Sequence, residues 1–498
     1  METSENTSHH SALFAWLWAA ALLSHQIHFR DAFQSAVDVA LTGAALFALL
    51  NPYSPRRFLA LAGFHVAAVV QHAPDVFNHW FFAGLISFAY VLTAAAYQVR
   101  RQPLHSGAFA AVARLNLVCL YYFSALHKLN TDYFNLQVGC GAKTYRQLVQ
   151  ALPFLPDSHG ALLWATYLSV AVELTLPTLL VTRRWRRPAV ALGLFFHLCL
   201  GLMGYARFSV IAFALLVLFV PELAAVLPRF AIALGQLRPI QSVPAWISTH
   251  KVPIAALWFA AGIAVPYALG PYVWFTARIA SLAGLLTYLL FLASGVTLLA
   301  AALHLSPRQD RASRPRPFAP ATSAGRVSFA TGLPASTTGL PASATGLLST
   351  APGLLSTALI VLSGFAPYLG LHTLNTFAMY SNLRTENATS NHFFITPGVQ
   401  IFPYQRDMVE LRESNVGALD RLVQTGMLIP YQQLRVEILR AMARGRKAIR
   451  LAYLRNGQPA TITHAERDPE LASPMNILAL KFMAFRAVEK QGPRACTY

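Results

Sequence analysis

The chain has 498 residues, of which 55% are hydrophobic and only 12% charged, with a mean hydropathy of +0.45. A soluble globular protein is about a quarter charged, so a freely soluble fold is excluded. The formal net charge of +19 comes with no nucleic-acid motif; in a membrane chain a Lys/Arg excess marks loops facing anionic lipid, and nucleic acid is not an expected partner.

Eleven stretches have the length and apolarity of helices: 12–28, 35–50, 57–71, 80–98, 107–128, 160–182, 187–205, 208–227, 252–269, 274–303 and 352–371. Windows such as 160–182 and 208–227 each hold a single acid and no base. About 20 residues at 1.5 Å apiece cross roughly 30 Å of hydrocarbon. Some stretches are shorter, so the expected fold is an all-α polytopic bundle of about nine to eleven transmembrane helices. The N-terminal METSENTSHH lacks the basic leader of a signal peptide, and the first apolar segment is expected to stay as a helix. With eleven spans, Arg56–Arg57, Arg100–Arg101, Arg183–Arg184 with Arg186–Arg187, Lys251 and Arg308 to Arg316 all fall in even-numbered loops. Arg30 and Arg207 fall on the other side. The positive-inside rule makes the even loops cytoplasmic and the C-terminal region external.

Residues 1–303 therefore read as the membrane domain. Segment 304–350 holds the repeat TGLPAST-TGLPASA-TGLLSTA, whose Gly and Pro argue against a coiled coil despite the period of seven; it reads as a flexible linker. Residues 351–371 form the last span, and 372–498 a small external α+β domain. Within it, 448–465 reads as a β-hairpin closing at Asn456-Gly457 and 431–443 as a helix. Of four cysteines, Cys119 and Cys199 lie in apolar segments; Cys140 and Cys496 lie in polar ones, where the sequence leaves their pairing open. No CxxC pair occurs and no metal is expected. No GxGxxG or GxxxxGK[ST] precedes a helix, and HExxH and GxSxG are absent. Asn387-Ala388-Thr389 is a glycosylation sequon on the external side, relevant in a eukaryotic source.

Ionisable groups inside a membrane cost about 2.5–3.5 kcal/mol each at mid-helix and need a reason. Tyr121, Ser124 and Lys128 form one polar stripe at the end of helix 107–128, while His127 points elsewhere. Lys128 follows Arg101 by 27 residues, near the external boundary. It is either a lysine snorkelling from a helix end or a desolvated amine able to accept a proton. His79 opens its helix 21 residues before Arg100, at the same depth and side; capping beside Trp80 is its plain alternative. Glu173 lies ten residues before Arg183 and His197 ten after Arg187. Both are then about 15 Å above the cytoplasmic turn, on adjacent helices. They read as a carboxylate–imidazole pair, structural or proton-shuttling. Thr166, Ser169 and Glu173 make one stripe, and Gly193, His197, Gly201 and Gly204 another that allows close helix approach.

Taken in order, FNHWFFAGL (77–85), SALHKLNTDYF (124–134), VELTLPTLLV (172–181) and ALGLFFHLCLGL (191–202) resemble the membrane core of vitamin K-dependent γ-glutamyl carboxylases and their bacterial relatives, the horizontally transferred transmembrane domain (HTTM) proteins. The resemblance covers roughly 12–227, and 366–394 with Tyr404-Gln405-Arg406-Asp407 looks like a segment of the bacterial members. It implies a quinol-dependent carboxylase or oxidase (epoxidase). Its cofactor would be a reduced quinone of the vitamin K or menaquinol type, with Lys128 as the catalytic base. Asn78, His79 and Tyr121 would hold the cofactor; Glu173, His197 and Ser124 would support them from behind. The implied partners are the lipid bilayer, an isoprenoid quinol and a peptide or small molecule on the external face. The implied location is a bacterial inner membrane with the C-terminal domain periplasmic. Two departures stand out: the family's lysine pair is His127-Lys128 here, and the external domain is far shorter than the carboxylases'. Glutamate carboxylation therefore shares the field with another quinol-linked oxidation or carbanion reaction. The competing reading is a non-catalytic membrane scaffold or a transporter presenting an external domain; no internal duplication supports a transporter of the inverted-repeat type.

Overall fold

The computed structural model describes residues 2–29, 31–102, 106–224, 282–304 and 344–496. Its bundle comprises α1 (Glu2–Phe29), α2 (Ala36–Leu50), α3 (Pro55–His72), α4 (Asn78–Val99), α5 (Ser106–Lys128), α6 (Cys140–Ala151), α7 (His159–Val181), α8 (Arg186–Leu200), α9 (Ala206–Val217), α10 (Leu282–His304) and α11 (Ala344–Leu369). Local chemistry sets several starts: Ser35, Ser54 and Ser158 each accept a backbone N–H three residues on, and Pro55 opens α3 where its missing donor costs nothing. The expected span 252–269, the opening of 274–303, Lys251, the Arg308–Arg316 group, Arg30 and linker residues 305–343 lie outside the described residues.

Among the described residues, seven stretches are long and apolar enough to cross a membrane, with α2 a shorter apolar helix. One stretch, Arg186–Val217, is a folded hairpin. A Cβ on Gly193 would meet Leu216 Cδ2 at 3.0 Å, although a straight helix would part those residues by about 35 Å. The chain reverses over Gly201–Tyr205, where Gly204 takes φ 105°, a conformation suited to glycine. Sequence periodicity alone ran the two arms to 187–205 and 208–227, missing the five-residue turn. Two other differences are physical. Helix α6, 12 residues long, is too short and too polar to cross a membrane; it packs on α7, where Gly141 lies so close to Thr166 that a Cβ would sit 3.0 Å from the Thr166 Cα. The last helix begins at Ala344, eight residues ahead of Pro352, so the end of the expected linker is helical and the proline lies inside the helix at the loss of one backbone donor.

The described loops after the third, fifth and seventh expected spans converge on the C-terminal domain. Lys481 donates to the Gln71 carbonyl at 2.7 Å, Arg440 pairs with Asp75 at 3.3 Å, and the Arg494 amide donates to Asp132 at 2.8 Å. The Tyr205 and Tyr380 rings lie 4.4 Å apart. Arg56–Arg57, Arg100–Arg101 and the 183–187 group sit at the far ends of the same helices, so the charge bias and the packing give one topology.

The domain is a four-stranded antiparallel sheet in the order β2-β1-β3-β4, with β1 Met408–Ser414, β2 Leu428–Pro430, β3 Leu451–Arg455 and β4 Gln458–Ile462. The β3–β4 hairpin turns at Asn456-Gly457, both with positive φ. Helix Tyr431–Ala443 lays Leu434 and Ile438 onto Val409, Leu411 and Leu451. A Cys140–Cys496 disulfide ties the chain's end to α6. Asn382 reinforces that tie, accepting from the Cys140 amide at 2.7 Å and donating to the Arg494 carbonyl at 2.7 Å.

Candidate functional site

Helices α5 and α7 are antiparallel, and three polar pairs fix their register: Tyr122 with Thr178 at 2.8 Å, Lys128 with Glu173 at 2.5 Å, and Tyr133, just past α5, with Ser169 at 2.5 Å. Each pair sums to about 300 in residue number, so Val181 ends beside residue 119 or so of α5. Helix α7 is thus slid along α5 by about three and a half turns. That slide brings Glu173, counted as deep, level with Lys128, counted as shallow.

The Lys128 amine does not point out of the bundle. The residue is 6% exposed, with Nζ on Glu173 Oε2 and, at 2.9 Å, on Ser124 Oγ. The expected Glu173–His197 pair is therefore not the one formed: Glu173 is taken by the lysine, while His197 Nε2 lies 2.7 Å from the Tyr121 hydroxyl. His197 is fully buried and its Nδ1 has no partner. Its carbonyl accepts from Ser209 at 2.8 Å, which locks the α8–α9 hairpin beneath it. His127 faces away, as its helical angle implied, and holds Tyr368 and the Thr376 carbonyl at 2.9 and 3.0 Å.

Two cavities share a wall. Lys128, Glu173, Ser124, Tyr121 and His197 line a cleft of about 70 Å³, room for about two waters at ~30 Å³ each. Asn78, His79 and Arg207 line a neighbouring cavity of 270 Å³, close to the lower size of small-molecule sites, about 300 Å³. Tyr205, Phe208, Met379 and Tyr380 border both. His79 and Lys128 thus share an end of the bundle but not a chamber. Asn78 Oδ1 accepts from the Phe377 amide at 3.2 Å, which leaves its amide NH₂ as the donor, and His79 Nε2 is buried with no partner. The larger chamber therefore presents the Asn78 amide, the His79 imidazole and an apolar wall; the smaller sets an amine directly against a carboxylate.

All the sequence-predicted side chains lie in these two chambers or their walls. The ones missed are Tyr205, Phe208, Met379 and Tyr380, the partition itself. Tyr380 and Met379 had one signal, their place in 366–394; Tyr205 and Phe208 flank a turn that periodicity did not resolve. Among the described residues, no three His, Cys, Asp or Glu side chains cluster as metal ligands would. No protein-family model, curated protein or solved structure matches the chain.

Proposed function

We propose that this multi-pass membrane protein is an enzyme of the vitamin K-dependent carboxylase-like (HTTM) type, in which an isoprenoid quinol binds in the Asn78–His79 cavity and Lys128 acts as base through its pair with Glu173. The observation that carries the reading is the 2.5 Å Lys128–Glu173 contact, buried among membrane helices beside a cavity with an unpartnered imidazole nitrogen. Two charges held out of water cost several kcal/mol each unless paired, so packing alone gives no reason to keep them there.

The donor set fits a quinol. The Asn78 amide and His79 Nε2 would hold its oxygens, and the walls of Phe29, Phe77 and Phe208 suit its ring. A bound quinol supplies reducing equivalents for oxygen and a hydroxyl proton. Passage of the shared proton from Lys128 Nζ to Glu173 Oε2 leaves a neutral amine with a free lone pair. That amine would take up a proton reaching it past the shared wall of Tyr205, Phe208, Met379 and Tyr380, which restores the ammonium. Ser124 keeps Nζ aimed, and the Tyr121–His197 pair closes the cleft from below. The Cys140–Cys496 disulfide belongs to an oxidising compartment, which favours an external, periplasmic domain that presents a peptide or small molecule to the site.

The test uses purified protein with menaquinol or phylloquinol, oxygen and labelled bicarbonate. Quinol oxidation by wild type that falls by two or more orders of magnitude in Lys128→Ala supports the proposal. Undiminished turnover in that variant removes Lys128 from the mechanism; no oxidation by wild type leaves a membrane scaffold. Fixed label separates carboxylation from plain oxidation.

A further inference from the structure

A third cavity is an open cleft of 660 Å³ between the bundle's outer end and the C-terminal domain. Its bundle wall carries Asp31 and Asp75; its domain wall carries Arg440, Arg444 and Lys481. Arg440 is engaged by Asp75 and by Glu437 at 3.2 Å, and Lys481 by the Gln71 carbonyl. Arg444 stands exposed with no ion pair among the described residues. The floor is His25, stacked on Trp80 at 3.7 Å. His25 is 2% exposed, and its Nδ1 has no hydrogen-bond partner. A fully desolvated imidazole nitrogen without a partner costs free energy that a ligand atom would recover.

The rim is apolar. Phe77 lines the cleft at 50% exposure and Ile477 at 63%, with Leu478 beside it at 64% and Phe33, after Asp31, at 83%. Such side chains are costly in water and ordinary where a transmembrane helix leaves the bilayer. The cleft thus joins an apolar mouth to two facing walls of opposite charge, at the end of the bundle where its helices would leave a bilayer.

We propose that it binds one phospholipid of the adjoining leaflet through a headgroup that carries both phosphate and a primary ammonium, of the phosphoethanolamine type. Arg444 and Lys481 take the phosphate, Asp31 and Asp75 the ammonium, and His25 Nδ1 a headgroup oxygen or N–H. The acyl chains leave past Phe77 and Ile477. A plain anionic headgroup would face the two carboxylates uncompensated. A choline headgroup has no N–H to give them. The assignment is independent of any quinol chemistry.

The full chain is reconstituted in nanodiscs of mixed phosphatidylethanolamine, phosphatidylcholine and phosphatidylglycerol, then released, and the retained lipid is counted by native mass spectrometry. Phosphatidylethanolamine should be retained about tenfold over the other two, and the Arg444→Glu/Lys481→Glu variant should lose that retention by a similar factor. Asp31→Asn should erase the preference over phosphatidylglycerol. His25→Phe, which keeps the stack on Trp80, should weaken retention severalfold and serves if the charge reversals misfold. Water-soluble phosphoethanolamine in excess should not displace the lipid; displacement would make this a site for a soluble zwitterion and overturn the assignment. Equal retention of all three lipids, or wild-type retention by folded variants, would overturn it as well.

Discussion

Replacing Glu173 by leucine strands the Lys128 ammonium in the bundle with one hydroxyl, Ser124, as partner. Both side chains of the pair are under a tenth exposed, at 7% and 9%, so water cannot take over the lost role. Breaking a buried pair from one side costs about 3–5 kcal/mol. Lys128→Met should cost about as much, since it leaves the carboxylate alone. The double variant Lys128→Met/Glu173→Leu removes both charges and fills the space with apolar atoms. By the same physics it should lie within about 1 kcal/mol of wild type or above it. The cycle then yields a coupling of at least about 5 kcal/mol, read from reversible unfolding of the reconstituted protein by helical circular dichroism. Quinol turnover should be lost in all three variants. That outcome would show a pair kept for chemistry at no gain in stability. Single variants within about 0.5 kcal/mol of wild type, or costs that simply add, would refute the claim that the amine is desolvated.

Three further expectations rest on other contacts. At the domain junction, burial pushes the Glu386 carboxyl up, but Arg486 at 2.8 Å and the nearby Arg494 outweigh it and hold it below its ordinary value. A depressed folded-state value means the carboxylate's stabilisation is full above the ordinary value, about 4.3, and is lost as pH falls through the folded one. Hydrogen exchange in 373–392 and 484–494, corrected for intrinsic rates, should therefore be flat down to about pH 5 and quicken in stronger acid, a step absent in Glu386→Gln. Cys140→Ser should destabilise the docked C-terminal segment by about 2–4 kcal/mol and expose Cys496 to maleimide labelling, which wild type resists. Gly364 lies against the Phe123 ring where α11 crosses α5; Gly364→Val should force the helices apart at about 1–3 kcal/mol, seen as a lower Tm, while Gly160→Ala, in open space, should leave Tm unchanged.

The fold was legible where a residue's face alone decides its fate, and illegible where relative sliding does. The stripe Thr166, Ser169, Glu173 was readable as one face of α7, and the three contact Gly141, Tyr133 and Lys128 in that order. The glycine stripe of α8 was readable as a close approach, though its neighbours are Leu216 and Phe291 more than α7. Depth was different. Counting from the basic turns assumes that every helix starts level with the membrane surface, and on that count Lys128 and Glu173 occupy separate layers. The register of α7 is set instead by its polar ladder on α5 and by the packing of α6 against Thr166, neither of which has a local sequence signal. The same limit hid the partition between the two chambers. Met379 and Tyr380 come from a segment without regular secondary structure, held by Asn382, Arg384 and Glu386 to chain that lies about a hundred or more residues away. Contacts of that span have no local sequence pattern, because the partners are far apart in the chain. The chemistry of the site thus sits on the helices, whose patterns are local, while its shape is set by long-range contacts of the segment after the last helix.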